Sequence, residues 1–268
     1  MKLFQNVKGK KGPRQMDLLR KKFSNYVQDL RLQGFSRNTV DAYLYYLGKF
    51  SRFIKKEPKY VTAADIKSYL VKLLDSRNKE RTINLAISAL KSYFRDFLGK
   101  QLFKNVKRSK VPKDLPRVLA KEEIQLMIDK TKSEKHKLLI RVLYETGIRV
   151  GECVAIKVDH IHEIAKLLFI KNGKGKKDRY VPLPEGLYHE IVQFLGSRRV
   201  GSEYLFANSY GDHLSVRTAQ EIIRQAARRA GIQIGVYPHM MRSSFATHML
   251  QNGVDIEKIQ KLMGHADS

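Results

Sequence analysis

Apolar residues recur at helical spacing along the N-terminal part of the chain. A first pattern covers about 17–33 and stops at Gly34. A second starts after Ser36 and carries Val40, Tyr43, Leu44, Leu47, Phe50 and Ile54. A third opens at Thr62, with Asp65 as a capping-box partner, and runs Ile66, Tyr69, Leu70, Leu73, Leu74 along one stripe. A fourth covers about 79–98, with Ile83, Ile87, Leu90, Tyr93, Phe94 and Phe97, and ends at Gly99. Aromatic side chains at this spacing form a core rather than a base-stacking surface, so 17–99 is expected to be a small four-helix module. The residues before it, 1–16, are basic and broken by Gly and Pro, as a flexible tail is.

The pattern changes at 100–116. Lys104, Lys107, Arg108, Lys110 and Lys113 stand among Pro112 and Pro116. Proline disfavours helix and charge disfavours burial, which predicts an interdomain linker lying along a polyanion. From 117 onwards helical spacing returns at about 121–131 and 135–145; the first of these has Ala120 where a Ser or Thr cap is preferred. Residues 166–182 alternate as a hairpin around Asn172-Gly173-Lys174-Gly175. Further helices are predicted at about 187–196, 215–230, 239–251 and 255–262. The fold class is therefore mainly α: an N-terminal helical domain plus a mostly helical second domain, 117–268, with one small antiparallel sheet. No internal repeat is visible.

Composition adds a partner to this picture. Lys and Arg number 52 against 26 Asp and Glu, a formal charge of +26. Such an excess favours a polyanion, because neutralising phosphates releases condensed counterions. The competing explanation is a lysine-rich solubilising surface. No apolar run is long enough for a membrane span and no signal-peptide pattern opens the chain. Cys153 is the only cysteine, so no disulfide forms within the chain, consistent with a reducing cytoplasm.

Four clusters carry candidate chemistry. In Thr146-Gly147-Ile148-Arg149-Val150-Gly151-Glu152, Arg149 and Glu152 fall on one helical face, where an acid fixes a guanidinium; an ordinary helix-end ion pair gives the same pattern. The hairpin turn is loaded with Lys174, Lys176 and Lys177, yet matches no phosphate-binding Gly-rich loop and also suits a solvated tip. After Pro238, His239 and Arg242 share the first turn of a helix, whose N-terminus favours an anion. Last, a helix ends at Leu262-Met263-Gly264 with His265 just beyond, a place where histidine commonly does no more than offset the dipole. The scattered histidines and one cysteine give no metal-ligand spacing.

No cluster decides by itself; their order does. Arg149, a hairpin lysine, His-x-x-Arg and Gly-His, in that sequence, resemble the catalytic domain of tyrosine site-specific recombinases, the phage integrase and Xer group. Arg242-Ser-Ser-Phe-Ala-Thr-His-Met-Leu-Gln-Asn-Gly-Val-Asp-Ile and Gly173-Lys-Gly-Lys-Lys-Asp-Arg-Tyr-Val-Pro-Leu are particularly similar to theirs, and Ser36-Arg-Asn-Thr-Val-x-x-Tyr extends the likeness into the first module. The resemblance implies a core-binding domain at 17–99, a DNA breaking-rejoining fold at 117–268, and strand cleavage through a 3′-phosphotyrosine. It implies that Arg149 and Arg242 hold the phosphate's nonbridging oxygens, that His239 and His265 hydrogen-bond the phosphate and handle the tyrosine proton, and that Lys174 protonates the leaving 5′-oxygen. Glu152 would buttress Arg149, and Lys104, Lys107, Arg108, Lys110, Lys176 and Lys177 would contact DNA. No cofactor and no metal are implied. The partners implied are a double-stranded recombination site and further copies of the chain, a tetramer on two sites for the complete protein and a monomer for this chain, in the nucleoid of the cytoplasm.

Two departures accompany the likeness. Ser243 stands where the family usually has histidine, at a supporting position. The family's nucleophilic tyrosine lies beyond the Gly-His histidine on the next helix; here no tyrosine follows Tyr237, which precedes His239 on the wrong side of the motif. The expectation is a catalytic chain without its nucleophile, acting in Xer-like chromosome or plasmid dimer resolution. The alternatives are a nucleophile-less DNA-binding regulator, the integrase of a mobile element, or a type IB topoisomerase.

Overall fold

The two blocks of helical pattern each close over their own apolar centre in the computed structural model, which describes residues 13–110, 117–171, 178–198 and 201–264. The chain divides into two compact units, 1–113 and 114–268.

In the first unit the pattern read as one helix is two, α1 (Pro13–Lys22) and α2 (Ser24–Leu32). The break is at Phe23, whose ring turns into the core and meets Tyr93 edge-on at 5.4 Å. Helix α1 begins earlier than the apolar pattern, so residues 13–16 are not tail; Met16 packs against the core. Helix α3 (Arg37–Ile54) starts at Ser36, whose hydroxyl accepts the Thr39 amide at 3.2 Å, an N-cap. Helix α4 (Ala63–Asp75) has the expected capping box: Asp65 accepts the Thr62 amide at 2.9 Å and Thr62 accepts the Asp65 amide at 3.3 Å. Helix α5 (Glu80–Lys91) runs into a π-turn, Ser92–Phe97, and the chain leaves through Gly99 at φ 67°. The widened turn lets Tyr93, Phe94 and Phe97 reach Tyr26 and Phe50.

The segment expected to be a linker is fastened to this unit along its described length. Phe103 is buried, with Leu102 and Val106 against the same core. Asn84 clasps Ser109 twice, accepting its amide at 3.0 Å and donating to its carbonyl at 2.9 Å. Three apolar residues between the lysines explain the docking, and Lys104, Lys107, Arg108 and Lys110 stay exposed.

The second unit comprises α6 (Lys121–Asp129), α7 (Glu134–Thr146), α8 (Val150–Val154), strands β1 (Ile161–His162), β2 (Leu167–Ile170) and β3 (Arg179–Pro182), then α9 (Glu185–Ser197), α10 (Val216–Arg229), α11 (Pro238–Gln251) and α12 (Ile256–Met263). Helix α6 makes good its missing side-chain cap through Glu123, which accepts the Ala120 amide at 2.8 Å. The sheet is antiparallel in the order β1-β2-β3, with Leu168 opposite Val181 and Ile170 opposite Arg179. Leu168, Ile170 and Val181 point into the core and Phe169 and Tyr180 away from it. Helix α11 packs on α7 and α12, and Phe245, Ile259 and Met263 close a small second core there. Among the described residues no helix is long and apolar enough to cross a membrane.

Candidate active site: three arginines at one helix end, two of them on one carboxylate

Helix α7 stops because Gly147 turns left-handed, at φ 61°. A Cβ there would stand 2.3 Å from the Phe245 ring of α11, so the position requires glycine for space as well as conformation. The tight approach lets the Gly147 carbonyl accept from Nη1 of Arg242. Two residues on, Arg149 forms the N-cap of α8. Glu152 reaches back to accept both the Arg149 amide and its Nη1, each at 2.8 Å. The same carboxylate receives Arg179, the first residue of β3, through Nη1 at 3.1 Å and Nη2 at 2.8 Å.

The C-terminus of α12 supplies the other half. Its last carbonyls lack helical partners and carry the negative end of the helix dipole. Leu262 accepts Nε of Arg179 at 3.0 Å, Met263 accepts Nη2 of Arg242, and Gly264 accepts Nη2 of Arg149 at 3.0 Å. Three successive carbonyls thus hold three guanidinium groups. Gly264 is left-handed at φ 62°, and a Cβ on it would press the Arg179 guanidinium at 3.0 Å.

The charge does not balance. Among the described residues of the cluster, three arginines stand against one carboxylate, Glu152, and the helix end offsets only about half a charge. Arg242 is 3% exposed. Burial and then its neighbour Arg149 bring its pKa down to about 10, with Arg179 adding to this and Glu152 opposing it; it remains charged at neutral pH. Burial alone would push the Glu152 carboxyl up. Its hydrogen bonds from Arg179 and the Arg149 amide, with the Arg179 charge, outweigh that and hold it below the usual carboxylate value. Among the described residues, Arg149 bonds to Glu152 and Gly264 and Arg242 to Gly147 and Met263, which leaves further N–H groups on each.

Helix α11 brings the rest. Pro238 occupies its first turn, where a missing N–H costs nothing. His239 follows, exposed, one turn before the buried Arg242. Ser244 pins the helix to the entry of the unit, accepting the Leu119 amide at 2.9 Å. His248 and Tyr144 join α11 to α7 through Nδ1 and the phenol at 2.8 Å. Tyr237 is the N-cap residue and half exposed.

Of the residues singled out by sequence, the fold brings Arg149, Glu152 and Arg242 into one hydrogen-bonded cluster and sets His239 on the helix that carries Arg242. Lys174, Lys176, Lys177 and His265 lie outside the described residues. Arg179 was missed. The signal for it was the alternation of β3: Arg179 shares its face with buried Val181, and an arginine on the inner face of a strand implies a buried acceptor. Among the described residues no three His, Cys, Asp or Glu gather as a metal site would need.

Residues 117–268 match the Phage integrase family and residues 19–103 match the Phage integrase, N-terminal SAM-like domain. The tyrosine recombinase XerA of Pyrococcus horikoshii is 38% identical over 242 residues, covering 89% of this chain and 82% of its own. A crystal structure of XerA recombinase superposes with a TM-score of 0.54 at 29% identity, over 93% of this chain and 90% of that one. A lambda integrase dimer bound to a COC′ core site shares the fold, with a TM-score of 0.75 at 18% identity over 93% and 95% of the two chains.

Proposed function

Because the chain belongs to the phage integrase family of tyrosine recombinases, we propose that it carries out site-specific recombination of double-stranded DNA through a 3′-phosphotyrosine intermediate. The observation that carries this is the uncompensated arginine cluster. It is a rigid, desolvated site with net positive charge and unused donors, as a pentacoordinate phosphorane with charge on its nonbridging oxygens requires.

In this reading a tyrosine oxygen attacks phosphorus, the bond to the 5′-oxygen breaks, and that oxygen leaves with a proton as a 5′-hydroxyl. A 5′-hydroxyl of a second strand later reverses the step, returning the proton to tyrosine. Arg149 and Arg242 bind the nonbridging oxygens. His239, at the exposed start of α11, and His265 hydrogen-bond the phosphate and move the tyrosine proton. Lys174 gives its proton to the 5′-oxygen. Lys104, Lys107, Arg108, Lys110, Lys176 and Lys177 neutralise phosphates along the duplex. The nucleophile is a tyrosine; none follows Tyr237 in residues 1–268, and Tyr237 caps the helix ahead of His239. Arginine charge and proton transfers suffice, without a cofactor. The biological role is Xer-like resolution of chromosome or plasmid dimers by several copies on paired sites in the cytoplasmic nucleoid. The likeness to XerA and the dimeric lambda complex supports this reading.

The test is covalent trapping on a pool of nicked, sequence-randomised duplexes, resolved on a denaturing gel. The expected result is an adduct from protein extended beyond Ser268 in its own gene, and none from residues 1–268. An adduct from residues 1–268 that Tyr237→Phe abolishes overturns the assignment of the nucleophile. No adduct from either form overturns the enzymatic reading and leaves a DNA-binding regulator.

A further inference from the structure

Arg179 has a place in the cluster that the phosphate does not explain. Its side chain is 12% exposed and every nitrogen is used: Nη1 and Nη2 fork onto the two oxygens of Glu152, and Nε donates to the Leu262 carbonyl. It therefore spends its donors on protein. Its two partners are the groups that hold Arg149, since Glu152 accepts Arg149 Nη1 and the end of α12 accepts Arg149 Nη2 through Gly264. A planar fork with a third donor at its base fixes both partners in one plane, which an ammonium cannot do. Gly264 leaves the room for it, as any Cβ there would press the guanidinium. Arg179 also starts strand β3.

We propose that Arg179 is a positioning residue of the strand-cleavage reaction: by clamping Glu152 to the C-terminus of α12 it sets the orientation of Arg149 toward the scissile phosphate. This rests on the recombinase reading above. Arg179 touches neither phosphate nor nucleophile. It acts through Glu152 and Leu262, so its loss lets Arg149 swing while DNA binding, spread over many surface cations, is kept. A misaligned donor costs rate at saturation and leaves half-saturation nearly unchanged.

The experiment uses two preparations. In protein extended beyond Ser268, Arg179→Gln lowers the first-order rate of adduct formation at saturating nicked duplex on the order of a hundredfold. Half-saturation moves by less than about threefold. Arg179→Lys keeps the charge, lacks the fork, and does not restore the rate; it also serves if the glutamine variant fails to fold. In a Glu152→Gln background the same substitution costs about tenfold or less, because the two act as one unit. Arg198→Gln is the control for mere stability: Arg198 also donates to two carbonyls, of Ser202 and Tyr204, but shares no partner with Glu152 or α12, and its loss lowers melting temperature without lowering the rate.

In residues 1–268, labelled with 15N-arginine, inorganic phosphate shifts the Arg149 and Arg242 Nε–H signals together. Arg179→Gln raises the phosphate concentration for half the Arg149 shift about tenfold. Full rescue by lysine, additivity with Glu152→Gln, an unchanged rate in a folded variant, or an unchanged phosphate titration each overturns the positioning role. If wild-type protein forms no adduct on any duplex, the recombinase reading fails, and the phosphate titration still decides whether Arg179 aligns Arg149.

Discussion

The two units treat buried polarity in opposite ways. The first buries rings and aliphatic chains; among its described residues the buried polar side chain is Asp65, which caps α4 and pairs with Lys56 at 2.8 Å. The second buries Thr131, Thr146, Ser244, His248 and the guanidinium of Arg242. An ion taken out of water costs several kcal/mol that pairing returns only in part. Unit 1 keeps its buried ion, Asp65, at a helix cap against Lys56, so its helices close around no buried guanidinium among the described residues. On the proposed function, the second unit's buried charge belongs to its site, where donors are set toward the phosphate before it arrives.

Replacing the buried charge tests this most severely. Arg242→Met lowers adduct formation on the order of a thousandfold, the usual cost of one oxyanion donor. The melting temperature of unit 2 moves little, because the desolvation that holds this arginine's pKa near 10 is relieved as its hydrogen bonds are lost. Leu44→Ala in unit 1 does the reverse: stability falls by about 2–5 kcal/mol and the rate per folded molecule is kept. If Arg242→Met melts unit 2 as Leu44→Ala melts unit 1, the charge is structural and the contrast is lost. Calorimetry beside the adduct assay reads both.

A pair of glycines sharpens the contrast. Gly99 and Gly147 both end helical segments with positive φ, 67° and 61°. Nothing lies within 4 Å of a Cβ at Gly99, so alanine pays the backbone strain alone, about 1 kcal/mol. At Gly147 the Cβ meets Phe245, and overpacking brings the total to about 3 kcal/mol. Gly147→Ala also pushes away the carbonyl that Arg242 uses, so activity falls with stability. Equal losses at the two sites in urea unfolding contradict the close packing of α11 on the end of α7.

These contrasts also show what was legible from sequence. Burial of unit 1 followed from the period of its apolar residues, including the Ser36 cap and the Thr62–Asp65 box, because each signal is local. The break at Phe23 was not legible, since it arises from a contact with Tyr93 far along the chain. Strand β1, two residues long, carries too little alternation to see. In the site, the residue types and order announced Arg149, Glu152, His239 and Arg242. The role of the α12 carbonyls was invisible, because backbone acceptors leave no mark in composition, and Arg179 was obscured by the run of cations, Lys174, Lys176 and Lys177, just before it in sequence.

Among the carboxylates with a lowered pKa, Asp65 in unit 1 and Glu152 in unit 2 are the little-exposed ones, at 12% and 9% of their side chains, and acid separates them. Asp65 is lowered chiefly by its hydrogen bonds from Lys56 and Thr62; Glu152 is lowered although burial opposes it. For both, the folded pKa lies below the unfolded one. The stability they contribute is present above the ordinary carboxylate pKa, near about 4.3 for Glu, and is lost as pH falls through the folded value. Protonating Glu152 strips Arg149 and Arg179 of their carboxylate partner among the described residues, so unit 2 unfolds first on acidification, and Glu152→Gln flattens that step. Tryptophan is absent, so side-chain NMR of each unit follows the titration. Unit 1 melting first reverses the assignment.

The smallest expected effect lies in unit 1, at Tyr69. Its ring packs against Phe50 at 5.3 Å and Phe53 at 5.5 Å, and its hydroxyl is buried with no partner among the described residues. Burial accordingly pushes the phenol pKa up. A hydroxyl that gives up water and gains no bond costs about 1–3 kcal/mol, and deleting its oxygen leaves a void that returns part of that. Tyr69→Phe is thus expected to stabilise unit 1 by about 1 kcal/mol, read from the urea midpoint at constant slope. In Arg242 the equivalent burial comes with hydrogen bonds to the Gly147 and Met263 carbonyls; in Tyr69 it comes with none among the described residues, so removing its hydroxyl leaves adduct formation unchanged. A loss of about 1 kcal/mol or more instead means that the hydroxyl is paired through water, and unit 1 then buries a second polar group besides Asp65.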